Sequence, residues 1–233
     1  MGEYRCVRIL AVNDPVLVLA STSPRRRDLL TLGGWQFITQ GADVDESQLP
    51  GELPGSYVLR LAENKARACT KFAHNDRTIL AADTTVVAGK VILGKPKDEA
   101  EAVEMLKALR GRHHQVLTGV AALRLSDGTL VTDLCITDVP MRAYSDEEIE
   151  AYVATGDPLD KAGAYGIQNP GFHPVEGLRG CYASVMGLPL CHVTRSLRKL
   201  GITPSTDIAA ECKSTLIYVC PISAAVLGGE MIG

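Results

Sequence analysis

Short continuous apolar runs alternate along this chain with segments of helical period, and that alternation limits the possible folds before any single residue is considered. Val16 to Ala20 is an unbroken apolar run, the mark of a strand buried on both faces. Arg25 to Leu32 behind it has helical spacing, with Gly33-Gly34 as a stop. A second helix is expected over Ser56 to Phe72, with Val58, Leu59, Ala62, Ala66 and Cys69 on one face and Glu63, Lys65 and Arg67 on the polar one. Thr78 to Ala82 reads as another buried strand, and Val86 to Ala88 faces Val91 to Leu93 across the two-residue turn Gly89-Lys90. Asp98 caps a helix that Gly111 ends, and Val116 to Leu125 and Thr129 to Met141 flank Ser126-Asp127-Gly128 as a long hairpin. Ser145 and Glu148 form a capping box that opens a helix ending at Gly156, and a last helix runs from about Pro189 to Leu200. The pattern predicts an α/β fold with a mixed sheet and a site at strand ends.

Composition narrows the class further. With 233 residues, 46% hydrophobic and 22% charged, the chain suits one ordinary domain carrying an appendage and excludes a disordered chain. Residues 1–203 are expected to form the domain. Residues 204–233 show no clear period and read as an appendage of unknown role. Twenty-four Lys and Arg against 27 Asp and Glu leave a net charge of -3, which argues against a protein held on nucleic acid by bulk charge. The seven cysteines form no Cys-x-x-Cys and read as reduced thiols in a cytoplasmic protein. Arg5 and Arg8 precede Ile9 to Val12 as in a signal peptide, but Asn13-Asp14-Pro15 breaks the apolar run. The longest apolar stretch, Leu216 to Leu227, is interrupted by Pro221 and falls short of the ~20 residues of a spanning helix, so no membrane segment is expected.

Five groups of residues could carry chemistry. Ser21-Thr22-Ser23-Pro24-Arg25-Arg26-Arg27 lies between a buried strand and a helix, where backbone N–H groups, hydroxyls and arginines can cradle an anion such as phosphate. The spacing is not that of a Walker A loop, and a Ser cap with solvated arginines is the plainer alternative. Asp83, in Ala82-Asp83-Thr84-Thr85, ends an otherwise apolar strand and suits metal binding or activation of water, unless it only starts a turn. Asp43, Asp45 and Glu46 could complete a hard-cation site with it or form an exposed acidic loop. Lys65 and Lys95 could neutralise phosphate or be solvated charges. Gly156-Asp157-Pro158-Leu159-Asp160-Lys161-Ala162-Gly163-Ala164-Tyr165-Gly166-Ile167-Gln168 is too polar and Gly-rich for a core element and reads as a loop closing on a ligand, with Gln168 able to donate to and accept from a base edge.

Taken in order, Ser21 to Arg26, Asp45-Glu46, Arg60-Leu61-Ala62 with Lys65-Ala66, Ala82-Asp83-Thr84, Gly94-Lys95-Pro96, Leu117-Thr118-Gly119, the run from Gly156 to Gln168 and Gly187-Leu188-Pro189-Leu190 resemble the Maf family of nucleoside triphosphate pyrophosphatases. The resemblance spans about Leu17 to Gly201. It implies a central mixed, twisted sheet flanked by helices, as in the inosine triphosphate pyrophosphatases, and hydrolysis of a nucleoside triphosphate to monophosphate and pyrophosphate with Mg2+ or Mn2+. It implies Asp83 as the proton acceptor for the attacking water, Glu46 and Asp83 as metal ligands, and Ser21, Ser23, Arg26, Lys65 and Lys95 as the triphosphate's partners. Arg25, Thr84 and Gln168 stand where the dTTP/UTP branch differs from the 7-methylguanosine triphosphate branch, and Thr84 and Gln168 could pair with a pyrimidine's imide N–H and carbonyl. Modified pyrimidine nucleotides would be counterparts of dTTP and UTP, in a nucleotide-pool house-cleaning role. A homodimer is implied as well.

Two departures stand out. Gly180-Cys181-Tyr182-Ala183-Ser184-Val185 replaces a Gly-Ser-Tyr-Ser-Asn-Val pattern, and Asn169 to His173 could reshape the pocket rim. The alternative reading is a nucleotide-binding regulator of cell division that uses the same pocket without turnover. A hydrolase of deaminated purines is weighed against by the Arg25, Thr84 and Gln168 trio, and RNA binding by the 5% aromatic content.

Overall fold

The computed structural model describes residues 16–74 and 76–233; the signal-like stretch from Arg5 to Pro15 and the thiol of Cys6 lie outside them. The elements follow as β1 (Leu17–Leu19), α1 (Pro24–Thr31), β2 (Phe37–Thr39), α2 (Pro54–Ala68), β3 (Thr78–Ala88), β4 (Val91–Leu93), α3 (Glu99–Leu109), β5 (His113–Arg124), β6 (Leu130–Pro140), α4 (Asp146–Val153), α5 (Tyr182–Val185), α6 (Leu190–Lys199), α7 (Ile208–Leu216) and α8 (Ser223–Leu227). One sheet runs in the order β2-β1-β3-β5-β6, with β4 paired to β3. β1 is parallel to β2 and β3, whereas β3, β4, β5 and β6 pair antiparallel. The sheet is therefore mixed, as the two hairpins require.

Both faces of the sheet are covered, which is why its strands read as continuous apolar runs rather than alternating ones. On one face Leu17, Leu19, Leu80, Ala82 and Val120 pack with α1 and α6 through Leu29, Leu30, Val193 and Leu197. On the other, Val18, Ala20, Ile79, Ala81 and Ala121 pack against Ala62 and Ala66 of α2. A third cluster joins Val86 and Val116 to Leu106 of α3 and Ile149 of α4. Gly119 of β5 lets α2 lie directly on the sheet: a Cβ there would fall 2.6 Å from the Val58 carbonyl oxygen.

Three expectations change in detail. β3 does not end before Asp83 but continues to Ala88, because the β-branched Thr84 and Thr85 pair with Thr118 and Leu117 of β5. Its neighbour β1 pairs only with Thr78 to Leu80, so Asp83 still lies just past the carboxyl end of a parallel strand. α2 ends at Ala68, followed by a separate 3₁₀ turn at Thr70–Phe72, and it buries Leu61 rather than Leu59. Lys65, on the helix face expected to be polar, is buried. Residues 204–233 hold α7 and α8, and Ile208 and Val226 from them join the same core as Leu17 and Leu80.

Candidate active site

Past the end of β1, at Ala20 and Ser21, a cavity of about 550 Å3 opens, within the usual size of a small-molecule site. All ten residues singled out for the site line it: Ser21, Ser23, Arg25, Arg26, Glu46, Lys65, Asp83, Thr84, Lys95 and Gln168. Asp43 and Asp45 do not. The Asp45 carboxylate instead accepts the Ser47 N–H at 2.9 Å, closing its own turn.

Alternation along β3 distributes the chemistry over two faces. Asp83 follows Ile79 and Ala81 onto the α2 side, where the Lys65 Nζ donates to its carboxylate at 2.5 Å. The same Nζ lies 2.6 Å from Glu46 Oε1. Two carboxylates, one from β3 and one from the loop between β2 and α2, thus converge on one point, and one cation neutralises both. Partial burial pushes the Glu46 carboxyl up, but the Lys65 hydrogen bond and charge, with Lys95 and Arg26, outweigh it and hold Glu46 below the usual glutamate value. Tyr57, two turns before Lys65 on α2, donates its hydroxyl to the Glu46 carbonyl at 2.8 Å and lines the cavity. It was not singled out from sequence, although the spacing of Tyr57, Leu61 and Lys65 places them on one helix face.

Thr84 points to the opposite face, beside the start of α1. Ser23 caps that helix, accepting the Arg26 N–H, and Ser21 Oγ accepts the Ser23 N–H at 3.1 Å. The first turn of α1 holds three arginines and no acid, an arrangement that calls for an anion nearby. Arg26 turns inward, its Nε donating to the Gly187 carbonyl at 2.9 Å and its Nη2 to Thr84 Oγ1 at 3.3 Å. Burial lowers its pKa, opposed by the charges of Asp83 and Glu46; starting from a guanidinium value it stays charged. Arg27 points outward to Asp28.

The run from Gly156 to Gln168 forms two 3₁₀ turns, Asp157–Asp160 and Ala162–Ala164, folded over the cavity. Lys161 staples it, donating to the carboxylates of Asp157 at 2.8 Å and Asp160 at 2.6 Å. Asp160 also pairs with Arg25 at 3.2 Å, which joins the loop to α1. Gln168 is exposed at the rim. The Asn169 to His173 stretch does not line the cavity: Asn169 ties to Asp157 at 3.2 Å, and Phe172 stacks on Tyr152 at 4.2 Å between centroids. In the Gly180 to Val185 departure, Cys181 and Ser184 are buried, and it is the Ser184 carbonyl that is used, accepting from Thr118 at 3.0 Å.

The arrangement pairs a buried carboxylate and a second acid with an array of cations and hydroxyls, the equipment for holding a polyphosphate beside an activated water. Among known proteins, the dTTP/UTP pyrophosphatase of Geobacter sulfurreducens is 46% identical over 185 residues, covering 79% of this chain and 96% of that protein. The dTTP/UTP pyrophosphatase of Anaeromyxobacter dehalogenans is 48% identical over 189 residues, 80% of this chain and 95% of that protein. Of solved structures, the Ham1 protein of Staphylococcus aureus aligns over 68% of this chain and 79% of that one, with 16% identity and a TM-score of 0.40. The model of the Maf-like protein family matches residues 16–200, and with relatives this similar over nearly their full length, the chain belongs to the Maf family.

Proposed function

We propose that this protein hydrolyses dTTP and UTP to the monophosphate and pyrophosphate, with modified pyrimidine nucleotides as related substrates, and so cleanses the nucleotide pool. The observation that carries the reading is the convergence of Asp83 and Glu46 on Lys65 within the cavity lined by Ser21, Ser23, Arg26 and Lys95. A pure binder needs cations for phosphate; it has no use for a buried carboxylate placed to take a proton. The names of the relatives support the substrate class.

In this mechanism Ser21 and Ser23 hydroxyls, Arg26, Lys65 and Lys95 bind the triphosphate and spread its charge, which is most of what phosphoryl transfer asks of a protein. Asp83 orients the attacking water and accepts its proton. Asp83 and Glu46 also suit Mg2+ or Mn2+: hard oxygen donors within ion-pair distance of one point, with phosphate oxygens to complete the set, match how Mg2+ is usually held. Such an ion would neutralise developing charge on the phosphates. Lys65, which pairs with both carboxylates, would hold the phosphates beside them. Arg25, Thr84 and Gln168 read the base. We place the nucleotide chemistry in residues 1–203, with 204–233 as an appended helical pair, and the active form as a homodimer, as the resemblance implies. The cytoplasm is the compartment we propose, in keeping with the free thiols of all six described cysteines; among the described residues no helix is long and apolar enough to cross a membrane.

Pyrophosphate release is to be measured with Mg2+ or Mn2+ over canonical and modified nucleoside triphosphates, wild type beside Asp83→Asn. Release from dTTP and UTP, cut roughly hundred- to ten-thousandfold in the variant, is the expected result. Retained nucleotide binding without turnover by the wild-type protein would favour the regulator instead, and sedimentation of the same sample reads the assembly.

A further inference from the structure

The C-terminal segment brings together two thiols that the nucleotide chemistry leaves unused. Tyr218 donates its hydroxyl to the Gly180 carbonyl at 2.8 Å, and its ring lies 5.6 Å from that of Tyr182, so residues 218–220 run beside the start of α5. The Sγ of Cys220 is 3.9 Å from the same Gly180 carbonyl oxygen, and its side chain is within hydrogen-bonding reach of Cys181. Both cysteines line a small pocket of about 20 Å3, together with Cys191 and Cys212, with room for one small molecule. Among the described residues no three His, Cys, Asp or Glu side chains are grouped to hold a metal ion, so the chemistry open here is that of thiols with one another. The four thiols are not equivalent. The hydrogen bond from Cys181, with those from the backbone of Ile222 and Ser223, outweighs burial and lowers the pKa of Cys220. Cys181, hydrogen-bonded to Cys135 and Cys220 and buried, is raised. Burial pushes Cys191 up to about 12 and Cys212 up to about 11. A half-buried thiol that ionises readily thus stands beside a buried, protonated one, the arrangement of an attacking and a resolving cysteine.

We propose that Cys220 and Cys181 are an oxidant-sensitive pair that hydrogen peroxide joins in a disulfide, stapling residues 204–233 to the start of α5. The Cys220 thiolate attacks one oxygen of the peroxide and breaks the O–O bond. Its sulfur becomes a sulfenic acid, and the departing hydroxide leaves as water with the proton that Cys220 gave up. The Cys181 sulfur then attacks the sulfenic sulfur: an S–S bond forms, the S–O bond breaks, and the hydroxyl leaves as a second water with the Cys181 proton. The two thiols lose two electrons and the peroxide gains them. The new bond closes a loop of about 40 residues, and cross-links of that span restrict the unfolded chain enough to raise stability.

The test treats the reduced full chain with hydrogen peroxide in wild type, Cys220→Ser, Cys181→Ser and Cys135→Ser. It reads free thiols, peptides mapped without reduction, and the melting temperature before and after dithiothreitol. Wild type is expected to lose two thiols, to yield a peptide linking Cys181 to Cys220, and to melt roughly 5–10 °C higher, all reversed by dithiothreitol. Cys181→Ser, which places there the serine of the Gly-Ser-Tyr-Ser-Asn-Val pattern, should form no link and leave a sulfenic acid at Cys220 that dimedone traps. Cys220→Ser should show neither link nor adduct, and Cys135→Ser should behave as wild type. A link from Cys181 to Cys135, a disulfide between two chains, or peroxide consumed with no link at all would each overturn the proposal. So would a Cys181–Cys220 link that leaves the melting temperature unmoved, since the bond would then staple nothing. None of these readouts involves a nucleotide, so the outcome stands apart from that of the proposed activity.

Discussion

Lys65 shows what single residues in this protein are asked to do. Helical period places it beside Glu63 and Arg67 on a polar face, and periodicity cannot tell a face turned to bulk water from one turned to a polar cavity; only the convergence of β3 and the loop carrying Glu46 makes the difference. Its charge is the partner of a buried Asp83, so Lys65→Met should destabilise the fold by about 3 kcal/mol, the usual result of leaving a buried charge without its partner, and urea unfolding will measure it. His114 makes a second prediction. It is buried, its Nε2 is 2.8 Å from the hydroxyl of Tyr165, a cavity-lining residue, and its Nδ1 has no partner. Burial, aided by His113, pushes its pKa down from 6.5 to about 4. The unfolded chain therefore binds a proton between those values that the folded chain refuses, so stability is lost as pH falls from about 6.5 to about 4, and no more is lost to this group below that. In His114→Gln the slope of stability over this window should flatten, as read by denaturant midpoints at a series of pH values. An unchanged slope would mean that His114 titrates alike in both states.

Elements carry the site by their approach to one another. The capping box at Ser145 and Glu148, the Gly89-Lys90 turn and the cap at Asp98 were all legible in sequence, because each is a local arrangement that three or four residues complete among themselves. The length of β3 was not, since Asp83-Thr84-Thr85 looks like a polar stop until β5 is there to pair with it. The ten residues proposed for the site, named from the order of motifs, all line one cavity, yet the two faces they occupy, Asp83 toward α2 and Thr84 toward Arg26, depend on strand register that no local signal fixes. Gly119 holds the α2 side of this arrangement. In Gly119→Ala the new Cβ would meet the Val58 backbone at 2.6–2.7 Å, too close to α2 backbone for a rotamer change to relieve. The helix must lift, at a cost of about 1–3 kcal/mol, and Lys65 two turns on must move with it. A lower melting temperature together with weaker nucleotide binding is expected; a fall in melting temperature with binding intact would show that α2 accommodates the methyl without disturbing Lys65.

At the scale of the whole molecule, residues 204–233 separate stability from chemistry. The segment runs as a strap: Thr206 and Ser205 donate to the carbonyls of Leu32 and Gly34 behind α1, Tyr218 donates to the Gly180 carbonyl at 2.8 Å, and His192 Nε2 of α6 meets the Ile232 carbonyl at 3.1 Å. Arg195, paired with Asp133 at 2.7 and 2.8 Å, also donates to the Glu230 carbonyl. Ile208 and Val226 complete the apolar face of the sheet, and burying side chains of that size is worth about 1.5–3 kcal/mol each. Sequence gave little warning of this, since only isolated residues of the segment reach the core and no sustained period results. Yet no residue beyond Gly187 lines the cavity. Removing residues 204–233 should therefore lower the melting temperature by roughly 10 °C, taking about 2–4 °C per kcal/mol for a chain of this size, while kcat per folded molecule stays within about twofold of wild type. Calorimetry paired with active-site titration separates the two quantities. A folded truncation that has lost turnover would mean that the strap acts on the site from a distance, through Tyr218 and the Gly180 to Gly187 segment on which Arg26 rests.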